Sequence, residues 1–340
     1  MGLSKVSIII PVYNVELYIA ECLQSVMNQT YQGQLECIVV DDCGTDRSME
    51  IVARMIAGYD GPIEFRVLHH EKNMGLSCAR NTGIDAVTGD YVFFLDSDDW
   101  ISYDCIDYLV SLVNKGNYEM VVGGFAYYYG DNDERNHARF SDDTLTQEFS
   151  GREYLYGWLD RSASIAVWNK LYPIWYLRKT KVYFNKSLFL SEDVLFNFEL
   201  FHLPSTICRS NRVTYYYRQQ RKGSILFELK RKGSKTVLLK TNLSFWLALR
   251  RVKVDGFDDL YESYLHYYGI MVLNGIKNKG ESLYNTFRLL HQEYPYSPLR
   301  LWLQQQKSFH WYKTRMMWSL PTFLGFLWFQ LKWWKNHIAS

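Results

Sequence analysis

The amino-acid sequence predicts an α/β fold in which a mostly parallel β-sheet is flanked by helices. Over the first 100 residues, apolar runs of strand length alternate with segments of helical periodicity. The first run, Val6–Val12, is rich in β-branched residues and indicates a strand buried on both faces, which is typical of parallel sheets. Polar residues follow several of these runs directly, and in such sheets ligands bind beyond the carboxyl ends of the strands.

Four strands and three helices are predicted to alternate in this first part of the chain. Each strand is a short apolar run, and the helices have apolar residues three or four positions apart, as at Ile19, Leu23 and Met27. Further along, we expect a polar excursion at 127–150 and a strand at 213–218. The first four predicted strands are 6–12, 35–40, 65–69 and 91–95, and the predicted helices are 17–27, 46–56 and 76–86.

Three carboxylates stand directly behind the fourth predicted strand, in the sequence Asp96-Ser97-Asp98-Asp99. Two unit charges ~4 Å apart repel by roughly 4 kcal/mol at an effective dielectric constant of about 20, so such a cluster is favoured when a cation lies within it. Carboxylate oxygens are hard ligands that suit Mg²⁺ or Mn²⁺, and these ions often bring substrate phosphates with them. The alternative is an acidic turn ahead of a helix that begins near Ser102.

We expect the polar segments behind these strands to share one edge of the sheet. They are residues 11–14, Asp41 with Asp42, Asn73, and residues 96–99. Because the carboxyl ends of parallel strands meet at one edge, this convergence indicates a single shared ligand site.

Four segments in the first 100 residues carry a known pattern, in order and at close spacing. They closely resemble the family 2 glycosyltransferases, and they are SIIIPVYN at 7–14, VDDCGTD at 40–46, NMGLSCARNTG at 73–83 and FLDSDD at 94–99. Cys43 stands where the family more often has Gly or Asn. The resemblance implies an inverting enzyme of the GT-A fold that uses a nucleotide-diphosphate sugar as its donor.

The resemblance also implies which residues contact the donor. Asp41 would accept a hydrogen bond from the N3–H of uracil, because a carboxylate is acceptor-only. Arg80 would bind the diphosphate, although an ion pair with Asp96 or Asp99 is an equal alternative. Asp98 would bind a divalent cation, Mn²⁺ or Mg²⁺, that bridges the phosphates. The implied nucleotide-sugar-binding set is Pro11, Val12, Tyr13, Asn14, Glu16, Asp41, Asp42, Asn73, Arg80, Asp96 and Ser97.

The acceptor side of the resemblance lies further along the chain. In Ser191-Glu192-Asp193, Asp193 is the implied general base that deprotonates the acceptor hydroxyl, and Glu192 orients or binds substrate. The alternative is that Ser191 caps a helix whose N-terminus both acids favour. For the tryptophan at 168, a position in the core is an alternative to substrate contact. Acceptor contacts are implied for Trp168, Asn169 and Lys170.

The sequence divides into an acidic front and a basic rear. Residues 1–100 carry 6 basic and 15 acidic side chains, whereas residues 205–340 carry 22 basic and 7 acidic. We expect a GT-A catalytic domain at 1–225, whose halves 1–100 and 101–225 hold the nucleotide sugar and the acceptor. A helical, aromatic-rich region is expected at 226–340.

A Trp-rich segment at 311–335 stands out in the rear. Its tryptophans are flanked by Lys and Arg, which is typical of a helix lying in a membrane interface. Its uncharged stretch, 316–331, would span about 24 Å as a helix, short of the roughly 30 Å of a hydrocarbon core. We therefore expect peripheral membrane contact, and the alternatives are an oligomer contact or packing on the catalytic domain.

Together with the resemblance, the sequence predicts an inverting glycosyltransferase that moves a single sugar. The donor would be a nucleotide-diphosphate sugar, most favourably a UDP-sugar, and the acceptor a hydroxyl of a glycan or a polyprenyl-linked glycan. The chain has no Gln-x-x-Arg-Trp tract of the processive synthases, which favours single-sugar addition. We expect the protein in the cytoplasm at the inner face of the cell membrane, with no nucleic-acid partner. The six cysteines lack CxxC spacing and are expected as reduced thiols.

Two other classes remain as alternatives. A sugar nucleotidyltransferase shares a nucleotide-binding α/β sheet, but the Gly-rich phosphate loop usual after its first strand is missing from this sequence. A non-catalytic nucleotide-sugar-binding protein of the same fold is the second, and the intact Asp96, Asp98 and Asp193 argue against it.

Overall fold

In the computed structural model of the protein, the described residues are 3–116, 118–139, 144–159, 163–188, 190–201 and 206–219. The strands within them are β1 (Val6–Val12), β2 (Leu35–Asp41), β3 (Glu64–His69), β4 (Tyr91–Phe94), β5 (Trp100–Ile101), β6 (Met120–Tyr128), β7 (His137–Ala138), β8 (Thr146–Ser150), β9 (Lys170–Pro173) and β10 (Thr206–Arg218). The helices are α1 (Ile19–Met27), α2 (Ser48–Ala57), α3 (Leu76–Ala86), α4 (Cys105–Lys115), α5 (Gly151–Leu159), α6 (Ile174–Thr180) and α7 (Glu192–Phe201).

A mixed sheet runs through the described residues, with the strand order β3-β2-β1-β4-β9-β6-β10-β5. β1 pairs parallel with β2 and β4, and β2 pairs parallel with β3. β9 is antiparallel to both of its neighbours, β4 and β6, whereas β10 is parallel to β6. The carboxyl ends of β1, β2, β4, β6 and β10 therefore lie at the same edge of the sheet. The predicted α/β fold with a mostly parallel sheet is confirmed.

Helices cover both faces of the central strands. All of β1 is buried. Ile8 and Ile10 belong to one apolar cluster with Leu23 of α1 and Val52 of α2. Ile9, whose side chain points to the opposite face, lies against α3. Burial on both sides explains why this strand is apolar at successive positions rather than at alternate ones.

The elements predicted in the first 100 residues are confirmed, with ends that differ by at most two positions, and α1 and α2 each begin two residues later than predicted. Helix α1 begins at Ile19 and not at Leu17, which is 78% exposed. The backbone N–H groups of Tyr18 and Ile19 both donate to the carbonyl of Val15, at 2.8 and 3.0 Å. Residues 15–18 thus form a turn that leads into the helix, and Leu17 matches the helical spacing without belonging to it.

Strand β10 begins at Thr206, well before the predicted start at 213. Its pairing with β6 shifts register between Arg209 and Val213, which marks a bulge. Ser210 in this bulge is fully buried and shares a hydrogen bond of 2.7 Å with the hydroxyl of Tyr108. Because buried polar residues interrupt the apolar pattern there, the first half of the strand could not be recognised from sequence.

The later segments also differ in part from expectation. The polar excursion expected at 127–150 begins inside β6 and contains β7 and β8, which pair antiparallel with β6 and β10. Behind Asp99 the chain enters β5, and helix α4 begins only at Cys105, so the carboxylates do not cap a helix near Ser102. All six cysteines are free, as expected.

The region expected at 226–340, with its Trp-rich segment at 311–335, lies outside the described residues. Among the helices that the structure does describe, none has both the length and the apolar character needed to cross a membrane.

Replacing Gly83 with alanine should destabilise the packing of α3 on β1. A Cβ atom at this position would lie 2.4 Å from Cγ2 of Ile9, whose side chain is fully buried. Over-packing of this kind costs about 1–3 kcal/mol. We expect the free energy of unfolding, measured in urea, to fall by that amount with an unchanged slope.

Gly58→Ala is the matched control. Gly58 lies at the exposed end of α2 with φ −91°, and a new Cβ would be 3.6 Å from its nearest neighbour, the carbonyl oxygen of Arg54. We expect the free energy of unfolding to change by less than about 0.5 kcal/mol. An equal loss in both variants would mean that contact with Ile9 is not the cause.

Candidate active site

The edge formed by the carboxyl ends of the strands gathers the polar residues that the sequence predicted to converge. Asp41 ends β2 beside Val12 at the end of β1. Asp96 follows β4, and Leu95 before it donates its N–H to the carbonyl of Ile9 at 3.0 Å, which continues the pairing of β4 with β1. Arg218 ends β10 and reaches the same segment. The acidic turn behind β4 therefore lies between the ends of β1 and β10.

Arg80 connects this edge to helix α7. Its side chain is buried, and Nη2 donates to Oδ1 of Asp96 at 2.7 Å while Nη1 donates to Oε1 of Glu192 at 2.8 Å. Its guanidinium also lies over the ring of Phe184, 5.2 Å from the centroid. Burial opposes the charge, but Asp96 and Glu192 outweigh it and hold the pKa of Arg80 above its ordinary value. Of the two roles that the sequence left open, the ion pair with Asp96 is present, and contact with a diphosphate stays a prediction.

Asp193 follows Glu192 in the first turn of α7 and is only partly buried. Burial, and after it the negative charge of Glu192, raise the pKa of Asp193 to about 7, against the opposing charge of Arg80. Its Oδ1 accepts a hydrogen bond of 2.8 Å from the N–H of Val194. A carboxyl group that titrates near neutral pH is suited to accept a proton from a substrate.

Asp99 is the buried member of the acidic turn. It accepts hydrogen bonds from the hydroxyl of Tyr215 at 2.6 Å and from the N–H of Arg218 at 2.8 Å. Burial, followed by the charges of Asp98 and Asp96, raises the pKa of Asp99 well above its usual value. The Tyr215 hydroxyl also accepts a hydrogen bond of 3.3 Å from the N–H of Asp96. One side chain of β10 therefore holds both ends of the turn, Asp96 and Asp99.

Asp98, the predicted metal ligand, is partly exposed at this edge. Within the described ranges, no group of three or more His, Cys, Asp or Glu side chains is arranged to hold a metal ion. Mg²⁺ typically binds one or two carboxylates and completes its shell with water and substrate phosphates, so a preformed protein cage is not required. A hard carboxylate beside the partly exposed Asp96 fits such a shared site, whereas Asp99 is occupied by Tyr215 and Arg218.

Asp42, of the predicted nucleotide-binding set, is almost fully buried, and both of its oxygens have protein partners. Oδ1 bonds Nδ1 of His70 and the N–H of Met74, both at 2.7 Å, and Oδ2 accepts the N–H of Gly75 at 2.8 Å. His70 in turn bonds the hydroxyl of Thr82 at 2.9 Å. Asp42 thus anchors the loop between β3 and α3, and its contact with a nucleotide stays a prediction.

Asp41, Asn14 and Glu16 lie at the loops of this edge and also have protein partners. Asp41 accepts the N–H of Cys43 at 3.0 Å and pairs with Nδ1 of His69 at 2.9 Å. Asn14 adopts a left-handed φ of 52°, and its side-chain oxygen accepts the N–H of Thr45 at 2.7 Å. The Glu16 carboxylate accepts the N–H of Arg47 at 3.0 Å. These bonds tie the turn after β1 to the turn after β2.

The other predicted donor contacts differ in exposure. Pro11 and Val12 are buried, so they offer backbone rather than side chain, while Tyr13 is 45% exposed. Ser97 is buried, and Asn73 is exposed in the loop that Asp42 anchors. Contact of any of these residues with a nucleotide stays a prediction.

The three residues predicted to contact the acceptor all have buried side chains, and acceptor contact stays a prediction. Trp168 stacks on Tyr215 with ring centroids 4.6 Å apart, so its core alternative is the one observed. Asn169 donates to the carbonyl of Gly123 at 2.5 Å. Lys170 is fully buried, donates to Asn169 Oδ1 at 3.0 Å, and burial lowers its pKa to about 7. These contacts leave no exposed side chain for an acceptor.

Two side chains that hold residues of the site in place were not predicted from the sequence. Tyr215 is one of three consecutive tyrosines, and nothing in that run marks the one whose hydroxyl reaches the acidic turn. His70 follows its strand directly, and this position was the only signal available for its bond to Asp42.

Fold and site together define the class of the protein. A mostly parallel sheet has carboxylates behind its strands, and a partly exposed acid of raised pKa is joined to them through Arg80. This is the arrangement of an α/β protein whose ligand site lies beyond the carboxyl ends of its strands.

Comparison with known proteins agrees with this class. The model of the family described as Glycosyl transferase family 2 matches residues 7–172. The glycosyltransferase GlyA of Streptococcus pneumoniae is 33% identical over 228 residues, which is 65% of this chain and only 31% of GlyA. EpsH of Bacillus subtilis, which is named as a glycosyltransferase, is 30% identical over 296 residues, covering 82% of this chain and 80% of EpsH.

The structure of TarS (residues 1–349) from Staphylococcus aureus in complex with UDP-GlcNAc has a similar fold. Its TM-score is 0.66 at 21% identity, covering 86% of this chain and 82% of that one. The chain therefore belongs to glycosyltransferase family 2, as its four segments predicted, and it is a glycosyltransferase. The alternative of a sugar nucleotidyltransferase is set aside by this membership.

Replacing Tyr215 with phenylalanine should destabilise the acidic turn. The change leaves the buried Asp99 with one hydrogen bond and the N–H of Asp96 without its partner. Leaving buried polar groups unsatisfied costs about 1–3 kcal/mol. We expect the free energy of unfolding, measured by denaturant titration, to fall by that amount.

Tyr216→Phe is the control on the same strand. Its ring stacks on Trp100 and would stay in place, with centroids 5.2 Å apart. We expect a change within about 0.5 kcal/mol. If Tyr215→Phe is as mild as this control, the hydroxyl does not hold the turn.

Proposed function

We propose that the protein is an inverting glycosyltransferase that uses a nucleotide-diphosphate sugar, most favourably a UDP-sugar, with Asp193 as its general base. Asp193 takes the proton of an acceptor hydroxyl while the oxygen attacks the anomeric carbon. The bond from that carbon to the diphosphate breaks on the opposite face, so an α-linked donor gives a β-linked product. The acceptor is a hydroxyl of a glycan or a polyprenyl-linked glycan, and one sugar is added.

One observation carries this proposal, namely the connection of Asp193 to the donor edge. Asp193 stands next to Glu192, and Glu192 shares Arg80 with Asp96. A carboxyl with a pKa of about 7 is thereby fixed near the carboxylates behind β4. Direct displacement needs a base on one side of the sugar and a charged leaving group on the other, and this arrangement supplies a candidate for each side.

The donor edge supports a nucleoside diphosphate in its chemistry. Asp41 at the end of β2 is a carboxylate that can accept a hydrogen bond from the N3–H of uracil. The exposed Tyr13 follows Val12, the residue of β1 that is paired with Asp41. TarS, which has a similar fold, is known in complex with UDP and with UDP-GlcNAc. A UDP-sugar is therefore the donor that we propose.

A divalent cation, Mg²⁺ or Mn²⁺, fits the same edge. Asp98 would be its protein ligand, with donor phosphates and water completing the shell. The cation would supply Lewis-acid stabilisation of the charge on the leaving diphosphate. Arg80 has both terminal nitrogens bonded to Asp96 and Glu192, so in this arrangement it is a less direct partner for those phosphates.

We also propose a location for the protein, at a membrane surface. The expectation that residues 311–335 contact the inner face of a bacterial membrane from the cytoplasm is a sequence-based proposal. It rests on their Trp, Lys and Arg content and on the excess of basic residues over 205–340.

Release of nucleotide diphosphate from a panel of UDP-, GDP- and dTDP-sugars, with Mn²⁺ or Mg²⁺, tests the donor and the metal. We expect slow hydrolysis of one UDP-sugar that is lost with chelator and in Asp98→Ala. Calorimetry with UDP and Mn²⁺ accompanies it, because an obligatory acceptor would suppress hydrolysis but not binding. A protein that binds no nucleotide by calorimetry would contradict the proposal.

Asp193→Asn should abolish transfer while leaving the donor bound. Loss of a general base lowers the rate by about 10²–10⁴-fold. We expect UDP affinity, measured by calorimetry, to change little, because Asp193 is on the acceptor side. Glu199→Gln removes a carboxylate further along the same helix and is the matched control, with transfer expected near the wild-type rate. Comparable rates for Asp193→Asn and wild type would disprove the assignment of the base.

Transfer should depend on pH through Asp193. Its pKa is raised to about 7, and only the deprotonated form can accept the hydroxyl proton. We therefore expect kcat/KM to fall about tenfold for each pH unit below 7 and to level off above it. The measurement is a pH–rate profile from pH 5 to 9 at saturating Mn²⁺. A flat profile across this range would argue that another group accepts the proton.

A further inference from the structure

We propose that Arg80 is a positioning residue that joins the donor side of the site to its acceptor side and holds Asp193 in place through Glu192. This inference rests on the proposed role of Asp193 as the general base. It assigns Arg80 to a task other than the phosphate contact expected from sequence.

The geometry of Arg80 carries the inference. Residues that are far apart in the chain meet on one guanidinium, since Asp96 lies 16 positions away and Glu192 lies 112 positions away. Both bonds are short and charge-assisted, at 2.7 and 2.8 Å, and the Arg80 side chain is only 3% exposed. The guanidinium is further held over the ring of Phe184. Such a fork fixes direction as well as distance between its two carboxylates.

Glu192 transmits this constraint to the base. Glu192 is the first residue of α7, its side chain is buried, and Asp193 is the next residue in the chain. The residue before it, Ser191, has a left-handed φ of 62°, so the chain enters the helix through a conformation that a serine rarely adopts. The bond from Arg80 to Glu192 stabilises the first turn in this arrangement. Asp193 is thereby oriented from the side of the donor.

Arg80 also affects the pKa of Asp193, which several titratable groups influence. Glu192 and Asp96 disfavour its ionised form, and Arg80 favours it. Lys170 of β9 and Tyr172 also interact with it electrostatically. Removing Arg80 therefore raises the pKa of Asp193, and removing the charge of Glu192 lowers it.

The alternative is that Arg80 binds the donor diphosphate directly. Its side chain would then have to leave the partly exposed Asp96 or the buried Glu192 when the donor arrives. A phosphate ligand and a positioning residue differ in what their loss changes. The first affects donor affinity, whereas the second affects turnover and its pH dependence.

Arg80→Met and Arg80→Lys test the proposal in the full chain with a UDP-sugar, Mn²⁺ and an acceptor. For Arg80→Met, we expect kcat to fall by roughly 100-fold, the size of effect that a displaced catalytic group produces. We expect the dissociation constant of UDP to stay within about threefold, and the acidic limb of the pH–rate profile to move to higher pH. Arg80→Lys keeps a charge and should restore part of kcat and move the limb back towards that of the wild type.

Glu192→Gln should shift the acidic limb of the pH–rate profile in the direction opposite to that of Arg80→Met. It also keeps the test valid if Arg80→Met does not fold. The amide oxygen can still accept from Arg80, but the negative charge beside Asp193 is lost. We expect the acidic limb to move to lower pH in this variant. Thermal unfolding of all variants separates loss of fold from loss of function.

Two outcomes would overturn the inference. A loss of UDP affinity of more than tenfold in Arg80→Met and Arg80→Lys, with kcat retained, would make Arg80 a donor ligand. Unshifted pH–rate profiles in both Arg80→Lys and Glu192→Gln would remove the coupling. Failure of the proposed function is distinguishable, because it would appear as full activity in Asp193→Asn whatever the Arg80 variants do.

Discussion

The buried guanidinium of Arg80 is the interaction on which the arrangement of the site depends. It lies between Asp96, at the end of a central strand, and Glu192, at the start of a helix from the other half of the described chain. The buried Glu192 needs such a partner to remain ionised, because desolvation of an unpaired charge costs several kcal/mol. One positive charge therefore makes it possible for two acidic segments to meet. The fold brings them together, and Arg80 makes their meeting stable.

The same principle governs the rest of this acidic edge. Each carboxylate that turns inward has specific donors, as Asp99 has Tyr215 and the backbone of Arg218, and Asp42 has His70 and two backbone N–H groups. Asp96 and Asp98, in the turn behind β4, are partly exposed instead, and Asp96 is still bonded to Arg80. Within the acidic turn, the buried Asp99 thus holds the loop in place, whereas the partly exposed Asp96 and Asp98 are the acids that a ligand could reach.

The strands and helices of the first 100 residues could be predicted because local sequence patterns determine them. Short apolar runs predicted β1 to β4, and the rule for parallel sheets predicted the shared edge. Features that depend on tertiary contacts could not be predicted in this way. The start of β10 is hidden by a bulge whose buried polar groups are satisfied by other elements, as Ser210 is by Tyr108. Likewise, no local pattern reveals that Asp42 turns inward, that Trp168 stacks on Tyr215, or that Arg80 meets Glu192.

The antiparallel strand β9 has a consequence for how the chain can be divided. It lies between β4 and β6, so the two parallel parts of the sheet join through four residues, Lys170–Pro173, that follow β4 only after a long stretch of chain. Until β9 arrives, β4 presents a bare, apolar row of unpaired backbone groups, which is a template for pairing with another molecule. A fragment cut after residue 100 would therefore aggregate rather than form a free-standing nucleotide-binding module, and pairing over so long a separation makes folding slow.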